Sequence, residues 1–556
     1  MTDYTATHTA GVPAPVATTP GSIAPVVSMG LVREAATVEG VCVRPVVRRC
    51  TDTETGATEL IPIPCGSTLA SVCPSCAETN RRLRMQQCRE GWHLTEEPEI
   101  PARPADDSDS PNDSDLDAEQ DEGLVLDEEP SRRVRSTRRR DDAPDLPRLP
   151  VQNRTIGTAF TDSKTGRSFR PSMFVTLTLG SYGRVHPDGT PVDPSSYDYA
   201  RAARDAVFFP KLWDRFVQNL RRAVGYDVQY FAAIEPQKRL APHLHTAIRG
   251  AIPRALLRQV IAATYATVWW PSFDEPVYTG ERPPEWDITR TAYVDPDTRQ
   301  PLRTWDQALD DLDADPAARP AHVLRFGRQS DIQGLLAGSP EADRRVGYLT
   351  KYLTKAITEA TSQHHDDAND QGQADEQRTG KATARRARRE AHITRLHREV
   401  LYVPCSPECA NWLRYGIQPK NPEPAMAPGQ CAAKHHRRDN LGLGGRRVLV
   451  SRKWTGKTLA EHKQDRINAV RTVLEAAGIN PDDHTVTRAD TTREDGRPRY
   501  VWDNLDPTES TIDYARVINT AIDHRQRWRH QYQQAQQALH PPVDNPLGNT
   551  PERNAA

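Results

Sequence analysis

Two histidines one residue apart, His243 and His245 in PHLHTAI, are the first side chains in this sequence with the spacing to do chemistry together. In an extended strand, residues i and i+2 point to the same face, so both imidazoles are offered side by side. Glu235 lies in the preceding run DVQYFAAIEPQ, one short KRLA connection upstream. If the two runs close into an antiparallel hairpin, its carboxylate supplies a third ligand. Two imidazoles and a carboxylate with open positions suit Mg²⁺ or Mn²⁺ bridging a phosphate. His-x-His alone is ordinarily a chance pair. The strand context, the upstream glutamate and the tyrosines described next give this one its weight.

RRVGYLTKYLTKAITEA reads as a helix carrying Tyr348 and Tyr352. Four residues make about 400° of turn and about 6 Å of rise, so the two phenols share a face. Each is followed three residues later by a lysine, Lys351 and Lys355. An amphipathic helix burying an aromatic stripe produces the same pattern, but the duplicated Tyr-Leu-Thr-Lys beside a candidate metal site favours nucleophiles. A phenol with a pKa near 10 is only about 0.1% ionised at neutral pH, so it needs activation. A metal on the phosphate and a nearby ammonium would both help.

The nine cysteines fall in two groups, six between 42 and 88 and three between 405 and 431. Cys65, Cys73 and Cys76 carry one CPSC knuckle, and a fourth ligand is available from Cys42, Cys50, Cys88 or His93. Cys405, Cys409 and Cys431 have a histidine partner in His435 or, one position on, His436. Structural Zn²⁺ is the expected occupant of each group; buried free thiols are the alternative. TGKT at 455–458 is not a phosphate loop, because the glycine required at 451 is a serine.

The elements that position these groups are separated by polar stretches. The 556 residues are 37% hydrophobic, 27% charged and include 46 prolines, a composition of folded modules joined by disordered linkers. Residues 101–130 hold twelve acidic residues against one arginine, leaving 72 basic against 63 acidic elsewhere. That mild excess suits nucleic acid. No apolar run reaches the ~20 residues of a membrane span, so no membrane partner and a cytoplasmic location are expected. The expected organisation is a disordered 1–39, a cysteine-rich zinc-ribbon-like module 40–98, and an acidic and basic linker 99–150. An endonuclease domain follows over 151–360 with 271–320 inserted, then a mobile linker 361–384. A basic helix, the second zinc cluster and a DNA-binding module fill 385–479, before a polar region 480–556. PSMFVTLTLG reads as a strand and 198–223 as a helix with a potential break at Pro210.

AAIEPQKRLAPHLH and YLTKYLTK together resemble the metal-site hairpin and two-tyrosine motif of HUH endonucleases that initiate rolling-circle replication, and closely those of the actinobacterial RepSA type. The resemblance implies an α+β nuclease domain with an antiparallel sheet, flanked by small N- and C-terminal zinc modules. By it, His243, His245 and Glu235 bind Mg²⁺ or Mn²⁺. Tyr348 and Tyr352 are the nucleophiles, with Lys351 and Lys355 as the motif's lysines. The N-terminal zinc ligands become Cys42, Cys65, Cys73 and Cys76; the C-terminal ones, read from their finger-like spacing, are Cys405, Cys409, Cys431 and His435, with His436 as the alternative. The implied reaction is nicking and strand transfer on single-stranded or supercoiled origin DNA through a 5′-phosphotyrosyl link, with a host helicase and polymerase. An IS91-like two-tyrosine transposase and a non-enzymatic zinc-dependent DNA-binding regulator are the competing readings.

Overall fold

The computed structural model describes residues 28–98, 142–478 and 492–539, except 157, 158, 167, 281, 352, 355–374, 446, 494 and 506–511. Tyr352, Lys355, most of the linker 99–150 and the first part of 361–384 therefore lie outside the described residues. The chain divides into two compact units, Met1–Cys65 with Asp482–Gln534, and Gly66–Pro481 with Ala535–Ala556.

In the first unit, α1 (Met29–Glu39) is capped by Ser28, whose side chain accepts from the Leu31 N–H, and is stopped by Gly40 at φ 72, a left-handed conformation that glycine adopts without steric cost. Residues 1–39 are expected to be unstructured; the stretch 29–39 is instead helical, held by these two caps and by the buried Val32 and Ala36. β1 (Val46–Asp52) pairs antiparallel with β2 (Thr58–Ile63) on one side and with β14 (Tyr500–Asn504) on the other. The supposed polar tail thus supplies a strand, and also α9 (Tyr514–Leu539), whose Arg529 meets Glu39 at 3.0 Å.

The second unit is built on an antiparallel sheet in the order β13-β5-β6-β4-β11-β7, with β3 (Phe160–Thr161) pairing off the start of β4. Its strands are β4 (Ser168–Leu179), β5 (Tyr230–Pro236), β6 (Pro242–Arg249), β7 (Tyr265–Val268), β11 (His322–Ala337) and β13 (Val448–Val450). Strand alternation sorts its side chains cleanly. On one face Val175, Leu177, Ile234, Leu244 and Ile248 form a core with Phe209, Leu212, Trp213 and Phe216 of α3 (Tyr199–Val224), while α4 (Arg254–Ala263) packs beside it. α3 runs unbroken through Pro210. On the other face Phe174, Phe231, Ala233 and Ala247 meet Cys88 and Trp92 of α2 (Pro74–Trp92), Val346 and Leu349 of α6 (Pro340–Thr350), and Trp454. α2 therefore belongs with the sheet rather than with β1 and β2. Its approach is close: a Cβ on Gly91 would lie 2.1 Å from Trp454 Cδ1.

The segment expected as an insertion holds a small hairpin, β8 (Glu285–Asp287) with β9 (Ala292–Val294), then β10 (Arg303–Thr304) and α5 (Trp305–Ala314). β10 pairs in parallel with β12 (Ile417–Gln418) of the second cysteine module. Trp305 and Trp412 lie 4.9 Å apart, so an aromatic cluster fuses the insertion to that module. α7 (Asp375–Val400) lies along α3, and α8 (Leu459–Ala476) follows Trp454.

Candidate active site

The face of the sheet that carries α2 and α6 also carries the candidate chemistry. β5 and β6 close into a hairpin in the register Glu235↔His243 and Ala233↔His245, so Glu235 and both imidazoles point the same way. The hairpin turns through Gln237–Leu240, where the Leu240 N–H donates to Gln237 O at 2.8 Å and Leu240 takes φ 65. On the other side of β6, Thr176 pairs with His245.

Each imidazole is held through the ring nitrogen nearer its backbone. His245 Nδ1 is 2.9 Å from Thr176 Oγ1, and His243 Nδ1 is 3.1 Å from Gln237 Nε2. Gln237 is itself fixed by Arg239, whose Nε donates to Oε1 at 2.8 Å while its two Nη atoms bond Gly180 O and Leu179 O. Thr176 Oγ1 can accept from His245 Nδ1–H and so orient that ring as a ligand; with Gln237 Oε1 taken by Arg239, its amide nitrogen donates to His243 Nδ1. The rings of His243 and His245 sit 4.4 Å apart. Glu235 Oε2 lies 3.8 Å from His245 Nε2, and Glu235 Oε1 is buried with no hydrogen-bond partner.

Burial sets the charges. It pushes Glu235 up to about 7, against the pull of Arg447 and Lys351. It pushes His243 down to about 4 and His245 to about 3, with the neighbouring cations adding to the effect. At neutral pH both imidazoles are neutral, the form that donates a lone pair to a metal. An orphaned carboxylate oxygen on the face shared with two neutral imidazoles has the donor chemistry for a divalent cation. The three donors are nevertheless looser than the second cysteine group described below.

α6 brings the phenol. Ser339 caps its start, Pro340 occupies its first turn, and Val346 and Leu349 bury against Phe174, Ala247 and Trp454. That docking leaves Tyr348 37% exposed, with its hydroxyl 3.3 Å from His245 Nε2 and the two rings 4.9 Å apart and nearly perpendicular. Lys351 ends the helix and lies within electrostatic reach of Glu235. The structure thus gathers Glu235, His243, His245, Tyr348 and Lys351.

Reading the sequence missed Thr176, Gln237, Arg239 and Arg447. Gln237 and Arg239 stood in the hairpin turn itself and were legible there as polar groups beside the histidines. Thr176 and Arg447 come from remote segments and carried no signal.

Among the described residues, two cysteine-bearing groups also have the donor chemistry to hold a metal ion: Cys42, Cys65, Cys73 and Cys76, and Cys405, Cys409, Cys431 and His436. In the first, the Cys65 N–H lies 3.3 Å from Cys42 Sγ. In the second, the four ligand atoms lie within 4.8 Å of one another. The histidine is His436, not the expected His435. His436 Nδ1 is 2.9 Å from Val400 O, which turns Nε2 to 3.7 Å from Cys409 Sγ, whereas His435 lies against Gly444.

The family model for RepSA, described as the replication initiator protein of pSAM2, matches residues 28–503. A replication initiator protein from Streptomyces ambofaciens is 33% identical over 14% of this chain and 24% of its own length, so the match spans about a quarter of that relative. No solved structure matches. No described helix is long and apolar enough to cross a membrane.

Proposed function

Because the chain belongs to the RepSA family of replication initiator proteins, we propose that it nicks one strand of a replication origin and stays attached to the 5′ end through tyrosine, starting rolling-circle replication. The observation that carries this reading is the Tyr348 hydroxyl, 3.3 Å from His245 on the face shared with His243 and Glu235.

Glu235, His243 and His245 would hold Mg²⁺ or Mn²⁺. Bound there, the ion would polarise the scissile phosphate and stabilise its developing charge. Tyr348 Oη attacks phosphorus, the P–O3′ bond breaks, the phenol's proton passes to solvent, and the departing oxygen takes a proton to become a free 3′-hydroxyl. The ammonium of Lys351 favours the phenolate. The tyrosyl phosphodiester retains the bond energy, so the strand can be rejoined without ATP. Tyr352 would serve as the second nucleophile, with Lys355 as its motif lysine.

Both cysteine groups are proposed to bind structural zinc, Cys42, Cys65, Cys73 and Cys76 in one and Cys405, Cys409, Cys431 and His436 in the other. The second braces the insertion against the sheet domain. DNA is the partner, with strand separation and synthesis left to a host helicase and polymerase. Origin-dependent nicking by the purified chain, with and without Mn²⁺, tests the reading.

A further inference from the structure

We propose that Arg345 is a further catalytic residue, gripping a non-bridging oxygen of the scissile phosphate beside Tyr348; the assignment rests on the nicking reading above. Arg345 precedes Tyr348 by three positions on α6, a spacing that sets two side chains on one helix face with Cβ atoms about 5–6 Å apart. Both lean on the same ring. Arg345 Cζ lies 5.0 Å from the Phe174 centroid, and the Tyr348 ring meets Phe174 edge-on at 6.3 Å. His245 stacks on Phe174 at 6.0 Å. Phe174 is thus a floor around which a cation, a nucleophile and a ligand imidazole are arranged.

The guanidinium is held along one edge only. Gln333 Oε1 accepts from Nη2 at 2.6 Å, and Glu341 Oε1 lies 3.6 Å from the same nitrogen. Nε is buried without a partner. Nη1 makes no hydrogen bond among the described residues, the side chain is 27% exposed, and its charge lies within electrostatic reach of His245. A planar donor pinned over an aromatic ring with one edge left open is matched to a phosphodiester. Glu235, the carboxylate nearest His245, offers no positive charge for that role, and Lys351 stands three residues beyond the nucleophile rather than before it.

In the step, the Tyr348 Oη–P bond forms and the P–O3′ bond breaks, while the phenol's proton goes to solvent and the leaving oxygen gains one from water. Negative charge grows on the non-bridging oxygens, and Arg345 Nη1 donates to one of them. The competing account makes Arg345 a tether joining α6 to β11 through Gln333. The two differ in what Gln333 is for.

The test is single-turnover cleavage of an origin oligonucleotide with Mn²⁺. It uses the wild type, Arg345→Ala, Arg345→Lys and Gln333→Ala, each on a normal phosphate and on a neutral methylphosphonate at the scissile position. Arg345→Ala is expected to slow cleavage of the phosphate about 100-fold or more while origin binding changes less than about threefold. Arg345→Lys recovers part of the rate, and Gln333→Ala stays within about tenfold of wild type. On the methylphosphonate, which lacks the charge to be neutralised, wild type and Arg345→Ala converge. Equal slowing on both substrates, or Gln333→Ala as slow as Arg345→Ala, overturns the proposal in favour of the tether. So does undiminished cleavage by Arg345→Ala. Should Arg345→Ala fail to fold, Arg345→Lys on the two substrates makes the same comparison. A wild type that does not cleave at all refutes the nicking reading itself.

Discussion

The Tyr348 hydroxyl and His245 Nε2 stand 3.3 Å apart although 103 positions separate them in the chain. The contact depends on the apolar side of α6: Val346 and Leu349 seat the helix on Phe174, and the phenol follows. Tyr348→Phe is therefore expected to abolish DNA cleavage and adduct formation. It removes the long hydrogen bond to His245 from a part-exposed side chain, so stability should fall by about 1 kcal/mol. Thermal unfolding beside a nicking assay checks both halves; a cleaving Tyr348→Phe protein that still forms its adduct at full rate counts against the assignment.

Glu235 gives the metal-free protein a pH signature. Its folded pKa, pushed up to about 7 by burial, lies above the unfolded value of about 4.3. The folded state therefore binds the proton more tightly, and this group's contribution is fully present below pH ~4 and lost as pH rises through about 7. Glu235→Gln should stabilise the metal-free protein at pH 8, by up to about 2–3 kcal/mol, and make little difference at pH 4. Denaturant unfolding in a chelator at the two pH values measures it. His243 and His245 act in the opposite sense: held down to about 4 and about 3, they support the fold above pH ~6.5 and withdraw that support as pH falls below it.

The two adjacent histidines of the second cysteine group should behave differently. His436→Ala removes a ligand beside Cys409 and is expected to lose one zinc per chain and to unfold several degrees earlier. His435→Ala, whose ring lies against Gly444, should keep its zinc. Elemental analysis of the two variants decides the matter, and retention of full zinc by His436→Ala would exclude it as a ligand.

Gly91→Ala tests how α2 is seated. A Cβ there would sit 2.1 Å from Trp454 Cδ1, an indole buried to 0% exposure. The helix must lift or the tryptophan must move, at an expected cost of about 1–3 kcal/mol. A denaturant midpoint equal to wild type would show that the contact yields freely.

Much of this site was legible in the residues themselves, and the reasons are local. His-x-His on a β-branched, alternating run can face only one way, and the KRLA turn is short enough that Glu235 falls opposite His243. Tyr348 on α6 followed from its helical spacing, whereas Tyr352 and Lys355 lie outside the described residues. What stayed hidden came from distant segments. Nothing near Thr176 announces that it will meet His245, and the pairing of Cys50 with Trp502 links strands hundreds of residues apart. The choice between His435 and His436 turned on a bond to Val400 O, which no spacing rule contains. Residues 29–39 are grouped with the Ala-, Thr- and Pro-rich stretch before them, yet two capping residues make a helix of them.

The most direct measurement is the identity of the residue joined to DNA. Purified protein, incubated with Mn²⁺ and supercoiled plasmid bearing its cognate origin, should be digested and the DNA-linked peptide identified by mass spectrometry. The account predicts a 5′-phosphotyrosyl adduct on the peptide containing Tyr348, lost when His243 and His245 are both replaced by alanine. An adduct on a residue outside this peptide, or origin nicking that persists undiminished without the two histidines, would contradict it.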